Sequence, residues 1–296
     1  MKPTTIRIRS FAKVNLGLTV LDKRSDGYHE IRTIFQTIGL HDLMEIRPSD
    51  TLQLTCSGLD GVPMEENTVW RAAAGLARIA RPPAGAAIRL EKRIPAGSGL
   101  GGGSSNAAAA LLGLCRFWNL DLPAKELHTL AAAIGSDVAF FLKGGTALGS
   151  GRGEELRPIP EIREAHLVVV CPGVAISTAK AYQSLSLMLT YPQTPNKIQG
   201  LCARLQDDPE WPAGIFNDFE TSILPAYPAV REAKDFLAAR GATATLLSGS
   251  GSSVFGFFSD EESARAASRS PMARESWRVF PTKTLSRVAY FQGMFG

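Results

Sequence analysis

One stretch constrains this chain more than any other: Pro95-Ala96-Gly97-Ser98-Gly99-Leu100-Gly101-Gly102-Gly103-Ser104-Ser105-Asn106, which runs directly into an alanine- and leucine-rich segment over 107–117. Five glycines in seven positions leave a backbone nearly free of Cβ atoms, able to adopt φ > 0 and to turn its N–H groups toward one point. The segment that follows is rich in helix formers, and Ser104 or Ser105 is placed to cap it. Loop amides and the positive end of a helix dipole then converge on one spot, which suits a phosphate group. A merely flexible turn is the weaker reading, because a strand-like run over 87–91 precedes the glycines and helix formers follow them.

Two well-known nucleotide motifs fit this stretch poorly. Gly97-x-Gly99-x-x-Gly102 satisfies the dinucleotide pattern G-x-G-x-x-G, with Asp121 roughly 20 residues on. Asp121, however, falls in Trp118-Asn119-Leu120-Asp121-Leu122-Pro123, a turn after the helix, whereas the acid of a dinucleotide fold ends a second strand. No lysine follows the glycines, so the Walker spacing is absent. Nucleotide phosphates would need a cation from elsewhere in the chain or from a metal.

With 296 residues, 45% of them hydrophobic and 20% charged, the chain is long enough for two domains with ample cores. Its formal net charge of +4 is small and its basic residues are scattered, which argues against a nucleic-acid surface and allows small anionic ligands. Cys56, Cys115, Cys171 and Cys202 form no C-x-x-C pair and read as buried thiols in a reducing cytoplasm. The longest apolar run, around 167–176, is broken by Pro172 and Gly173, and the start of the chain has no signal pattern. The expectation is a soluble, unprocessed, cytoplasmic protein.

Residues 6–12 alternate like a strand and 14–21 extend the pattern. Lys13 and Asn15, two apart in that strand, point the same way and set an ammonium beside an amide, on a cavity wall or on a solvated face. Asp26-Gly27 signals a hairpin, and Tyr28 and His29 after it either stack on a flat ring or simply pack. Helices are expected over 67–80, 123–134 and 225–240. Asp137, in apolar surroundings after Gly135-Ser136, is an N-cap, a buried functional carboxylate, or both. His41, His128 and His166 show no ligand spacing and read as structural or solvated. A composition shift near 157–160 marks a domain boundary, followed by a strand over 165–170, a helix from 177 and a loop over 190–196. A further glycine cluster, Ser248-Gly249-Ser250-Gly251-Ser252-Ser253, lies between strand-like runs over 243–247 and 254–258. It is either a plain hairpin turn or a second backbone nest brought against the same ligand.

These clusters resemble the GHMP small-molecule kinases. Three signatures occur in that family's order: Ala12-Lys13-Val14-Asn15-Leu16, then Pro95-x-x-x-Gly99-Leu100-Gly101-Gly102-Gly103-Ser104-Ser105, then Leu247-Ser248-Gly249-Ser250-Gly251. A narrower likeness rests on Arg24-x-Asp26-Gly27-Tyr28-His29-Glu30, Thr33-x-Phe35-Gln36, Gly135-Ser136-Asp137-Val138, Gly144-Gly145-Thr146-Ala147 and Gly151-x-Gly153-Glu154. The resemblance implies an α+β fold of two domains. A ribosomal-S5-like domain would span 1–158 and a ferredoxin-like α+β domain 159–296, with the site in the cleft between them.

The resemblance further implies a kinase that uses ATP and Mg²⁺ to phosphorylate the 2-hydroxyl of 4-diphosphocytidyl-2-C-methyl-D-erythritol, on the non-mevalonate route to isoprenoid precursors. By this analogy Asp137 is the base and Lys13 keeps it ionised and offsets phosphoryl charge, while Pro95, Ala96, Gly97, Ser98, Gly99, Leu100, Gly101, Gly102, Gly103, Ser104 and Ser105 hold ATP. Asn15 would bond the methylerythritol end. Tyr28 and Tyr182 would sandwich the cytosine, His29 would read its edge, and Thr178 would help line the pocket. Ser248, Gly249, Ser250 and Gly251 would form a supporting nest, with Ser105 the candidate for the metal. The implied partner is a small molecule, with no nucleic acid and no membrane, acting on a monomer or homodimer. Rival readings are a GHMP kinase acting on mevalonate, homoserine or a sugar, a dinucleotide-binding oxidoreductase, and an RNA-binding module that the near-balanced charge disfavours.

Overall fold

The long alternating runs at the start of the chain form two long strands, β1 (Ile6–Lys23) and β2 (His29–Ser49), joined through the Asp26-Gly27 turn. The computed structural model describes residues 5–59, 61–82, 84–186, 197–205, 208–270 and 272–296; the loop expected over 190–196 lies outside them. Further strands are β3 (Gln53–Ser57), β4 (Gly85–Glu91), β5 (Thr146–Ser150), β6 (Glu155–Pro158), β7 (His166–Cys171), β8 (Phe216–Asn217), β9 (Ala244–Leu247), β10 (Val254–Phe258) and β11 (Arg278–Lys283). The helices are α1 (Thr68–Ala80), α2 (Gly102–Phe117), α3 (Ala124–Ile134), α4 (Val138–Phe141), α5 (Thr178–Ser186), α6 (Lys197–Arg204), α7 (Glu220–Ala226), α8 (Pro228–Ala239), α9 (Glu261–Ser268) and α10 (Arg287–Met294).

One sheet runs β3-β4-β2-β1-β8, with β5 and β6 branching from β2; the other runs β11-β7-β10-β9. In the first, Ile8, Met44, Ile46 and Ile88 meet Val69, Ala72 and Leu76 of α1 and the alanines of α2, all fully or almost fully buried. Small residues let α2 lie close to the sheet: a Cβ on Gly113 would fall 2.2 Å from Ile8 Cδ1. The second sheet has period-2 burial on both faces. Val168 and Val170 pack with Val230, Ala233 and Leu237 of α8. Leu167 and Val169 join Phe255 and Phe257 against Ala12, Val14, Leu16 and Ile34 of the first sheet. That shared layer welds the two sheets with β1 between them.

Two elements cross the boundary expected at 158. β8 pairs parallel with β1 through Gly17↔Phe216 and Leu18↔Asn217. α10 returns to the first core, where the Tyr290 ring lies 5.7 Å from that of Phe11. The helix expected over 225–240 is present as α8 but starts three residues later, because Pro228, which lacks an N–H, takes its first-turn position while residues 225–226 close α7. α2 begins at Gly102 with Gly101 as its N-cap in the left-handed region, not at Ser104 or Ser105. β1, β2 and β4 are mutually antiparallel and Asp121 lies in no strand, which overturns the dinucleotide-binding reading. Of the four cysteines expected to be buried, Cys171 is, whereas Cys56, Cys115 and Cys202 are half-buried, and among the described residues no helix is long and apolar enough to cross a membrane.

Candidate active site

Lys13 reaches the site because the pairing of β1 with β2 is irregular. The side chains of Ser10 and Lys13 both lie against α2, which strict alternation forbids for residues three apart. A register shift against β2 between Phe11 and Ala12 makes the change of face. Lys13 is 4% exposed, and its Nζ donates to Asn15 Oδ1 at 2.7 Å and lies 3.6 Å from Asp137 Oδ2. Burial lowers the Lys13 pKa from its ordinary value, and the Asp137 charge opposes that shift. Asp137 stands at the N-cap position of α4 but caps nothing with its side chain, so its carboxylate is left to face the lysine. Asn15 is spent on its neighbours: its Nδ2 donates to Thr33 Oγ1 at 2.7 Å, and Thr33 Oγ1 donates to Gly17 O at 2.8 Å. This relay fixes which end of the amide meets Lys13.

The glycine stretch forms a cup beside this pair. Its carbonyls are tied to the protein: Leu100 O accepts from Lys13 N–H at 3.0 Å, Ser98 O from Ser253 N–H at 3.0 Å, Gly99 O from Ser248 Oγ at 3.0 Å and Gly103 O from Thr68 Oγ1 at 2.7 Å. Among the described residues the amides of Gly97 to Gly101 have no acceptor, so the donors are left for a ligand at the start of α2. Gly99 (φ 81°) lets the backbone touch the third glycine cluster, where a Cβ would fall 2.2 Å from Ser248 O. That cluster is both a β9–β10 turn and a neighbour of the Lys13–Asp137 pair, for a Cβ on Gly249 would lie 3.3 Å from Lys13 Nζ.

Other expected contacts are not made. The Ser105 hydroxyl turns inward, donating to Phe11 O at 2.6 Å with Ser10 Oγ 2.8 Å away, so it faces no metal position at the cup. Tyr28 is 57% exposed beneath the Arg152 guanidinium, and Tyr182 stacks on His29 with centroids 5.2 Å apart. Burial and the nearby Lys23 lower the His29 pKa. Its ring is therefore neutral at pH 7, with one donor and one acceptor nitrogen. Burial and the Asp137 charge raise the Tyr182 pKa, which ties this aromatic cluster electrostatically to the carboxylate. Thr178, at the start of α5, lies 3.2 Å from Ser250 Oγ.

Residues 67–145 match the GHMP kinases N terminal domain and residues 200–271 match the GHMP kinases C terminal domain. A 4-diphosphocytidyl-2-C-methyl-D-erythritol kinase of Chlorobaculum tepidum is 41% identical over 270 residues, covering 90% of this chain and 94% of the relative. The chain belongs to that branch of the GHMP kinases. The enzyme of the same name from Geobacter sulfurreducens is 40% identical over 288 residues, covering 95% and 99%. A solved 4-(cytidine 5'-diphospho)-2C-methyl-D-erythritol kinase superimposes with a TM-score of 0.80 at 34% identity, covering 94% of this chain and 99% of that one. Homoserine kinase from Cytophaga hutchinsonii shares the fold, with a TM-score of 0.73 at 20% identity. The chain is thus a phosphotransferase with an alcohol group as acceptor, of a family that takes its phosphoryl group from ATP.

In this GHMP kinase a buried ion pair lies behind the start of α2. The Lys92 Nζ is ion-paired with the fully buried Asp42 and donates to Asn106 Oδ1 at 2.9 Å. A Cβ on Gly102 would fall 3.1 Å from that nitrogen. Asp42 also accepts from the N–H groups of Arg93 at 2.6 Å and Ile94 at 2.8 Å, bracing the chain that enters the loop. Lys92 carries no motif in the sequence, because its partner Asp42 lies 50 residues away on β2. Tyr290 was invisible for the same reason. Its hydroxyl donates to Phe141 O at 2.6 Å, bracing the helix that carries Asp137 from a point 149 residues away.

Proposed function

We propose that this kinase transfers the γ-phosphoryl group of ATP to the 2-hydroxyl of 4-diphosphocytidyl-2-C-methyl-D-erythritol, a step on the non-mevalonate route. The observation that carries the mechanism is the Lys13–Asp137 pair at 3.6 Å beside a cup of unpaired amides. Phosphoryl transfer asks for little covalent chemistry from the protein, mainly alignment and neutralised charge. Asp137 takes the hydroxyl proton as the alcohol oxygen attacks phosphorus. Lys13 faces Asp137 and the charge growing on the transferred group. The amides over 97–101 and the α2 N-terminus hold the polyphosphate, and the Lys92–Asp42 pair braces the start of α2 from behind.

Asn15 acts here through Lys13, because both ends of its amide are already engaged. Cytosine would bind at Tyr28, His29 and Tyr182, whose flat rings suit a pyrimidine. Among the described residues no three His, Cys, Asp or Glu side chains cluster as a metal cage, and Ser105 is turned away. That donor set fits a Mg²⁺ that arrives held mainly by phosphate oxygens, with Asp137 the carboxylate beside the cup. When bound, the ion neutralises charge on the β- and γ-phosphates.

Mass spectrometry should find one phosphoryl group gained by diphosphocytidyl-methylerythritol in the presence of ATP and Mg²⁺, with CMP competing. Asp137→Ala should lower kcat by roughly 10²- to 10⁴-fold while the protein stays folded. A variant with parental turnover would remove Asp137 from the mechanism, and activity indifferent to CMP on a cytosine-free alcohol would remove the substrate.

A further inference from the structure

Asn217, on β8 beside Leu18 of β1, is 5% exposed and has every polar atom engaged. Its Oδ1 accepts from Phe219 N–H at 3.0 Å, closing the turn into α7. Both protons of its Nδ2 go to a single loop, at 2.8 Å to Leu247 O and 2.7 Å to Gly249 O. From the same segment, Glu220 Oε1 accepts from Leu247 N–H at 2.9 Å, with Lys234 Nζ holding the carboxylate at 2.6 Å. The β8–α7 segment therefore grips both the carbonyl and the amide of Leu247, and the carbonyl two residues on.

What it grips is the third glycine turn. A trans peptide sets its C=O and N–H in opposite directions, so anchoring Gly249 O on Asn217 turns the Ser250 N–H away from β8. Among the described residues the N–H groups of Gly249 and Ser250 have no acceptor. Gly249 itself lies against the Lys13 head group and Gly99 O. A glycine-serine turn left to itself would lose this orientation to backbone entropy; held, its donors need no reorganisation as charge develops on the transferred group.

We infer that Asn217 is a positioning residue for phosphoryl transfer, its carboxamide holding the third glycine turn against the Lys13–Asp137 pair. The inference rests on the kinase reading above. Asn217→Asp keeps the acceptor and the shape but removes both donors and sets an oxygen against two carbonyls. With ATP and acceptor saturating, kcat per folded molecule should fall by roughly 10- to 100-fold. The acceptor KM should stay within about twofold, because the alteration lies on the phosphate side of the site. Amide hydrogen exchange over 248–251 should quicken while β1 stays protected. Asn217→Ala, which removes the donors without adding a charge, is the second variant and carries the same expectation.

Either folded variant with kcat within about twofold of the parent overturns the inference, as does unchanged exchange over 248–251. A lowered melting temperature with kcat per folded molecule preserved also overturns it, since that marks a purely structural asparagine. If the parent itself transfers nothing to the diphosphocytidyl alcohol, the substrate reading falls instead. The exchange measurement needs no substrate and still decides whether the clamp exists.

Discussion

Burial separates Lys13 from the exposed basic residues of the chain, and it gives the reaction a pH signature. Taking the ammonium out of water lowers its pKa below the ordinary 10.5, against the pull of Asp137. A lysine with a lowered pKa sheds its charge at lower pH, so the alkaline limb of the kcat profile should fall below 10.5. A limb at or above that value would show that another group controls it. The sign for stability is opposite. Between the lowered pKa and 10.5 the unfolded chain binds the extra proton, so the contribution of this residue to stability rises with pH in that window. The Lys13–Asn15 contact follows from strand alternation alone, because residues two apart share a face. Its meeting with Asp137 does not, since that depends on a register shift in a partner strand.

The glycine stretch shows why an element can be located from sequence and still be misread in detail. The strand before it and the helix after it follow from periodicity, and both are present as β4 and α2. The helix start does not follow, because the serines that look like caps are needed elsewhere: Ser105 lies one turn into α2, bonded to Phe11 O. Two glycines of the loop make a controlled comparison. Gly99→Ala would place a Cβ 2.2 Å from Ser248 O, a backbone atom that cannot yield, at φ 81°. Gly97→Ala meets nothing within 4 Å and carries only the strain of φ 63°. The first should weaken ATP binding at least about tenfold and cost about 1–3 kcal/mol of stability; the second should lose about 1 kcal/mol and keep most of its affinity. Isothermal titration and urea unfolding of the pair would check this, and equal effects would show that the contact with the third glycine turn does not matter.

At the scale of the whole molecule, the C-terminal segment belongs to both halves. Leu285 O accepts from Gln36 and Thr37, and Tyr290 and Met294 fill the first core. Removing residues 286–296 should therefore destabilise the N-terminal half, with about 2–5 kcal/mol lost for each large buried side chain. Calorimetry should show the full chain melting in one transition and the truncated chain melting earlier, with kcat falling because α4 loses the Tyr290 brace. Two independent transitions in the full chain would contradict this. What the amino-acid sequence determined by itself was local: the glycine cup, the period-2 strands, the helix-forming runs, and the family signatures at Lys13, Gly99 and Gly249. Each depends on residues within a few positions of one another, where steric and hydrogen-bonding preferences act directly. The tertiary structure decided which face Lys13 takes, that His29 stacks on Tyr182, that Lys92 lies behind the start of α2, that Asn217 holds the third glycine turn and that Tyr290 braces α4. Those contacts join residues far apart in the chain, and their partners are chosen by the packing of two sheets on a shared layer.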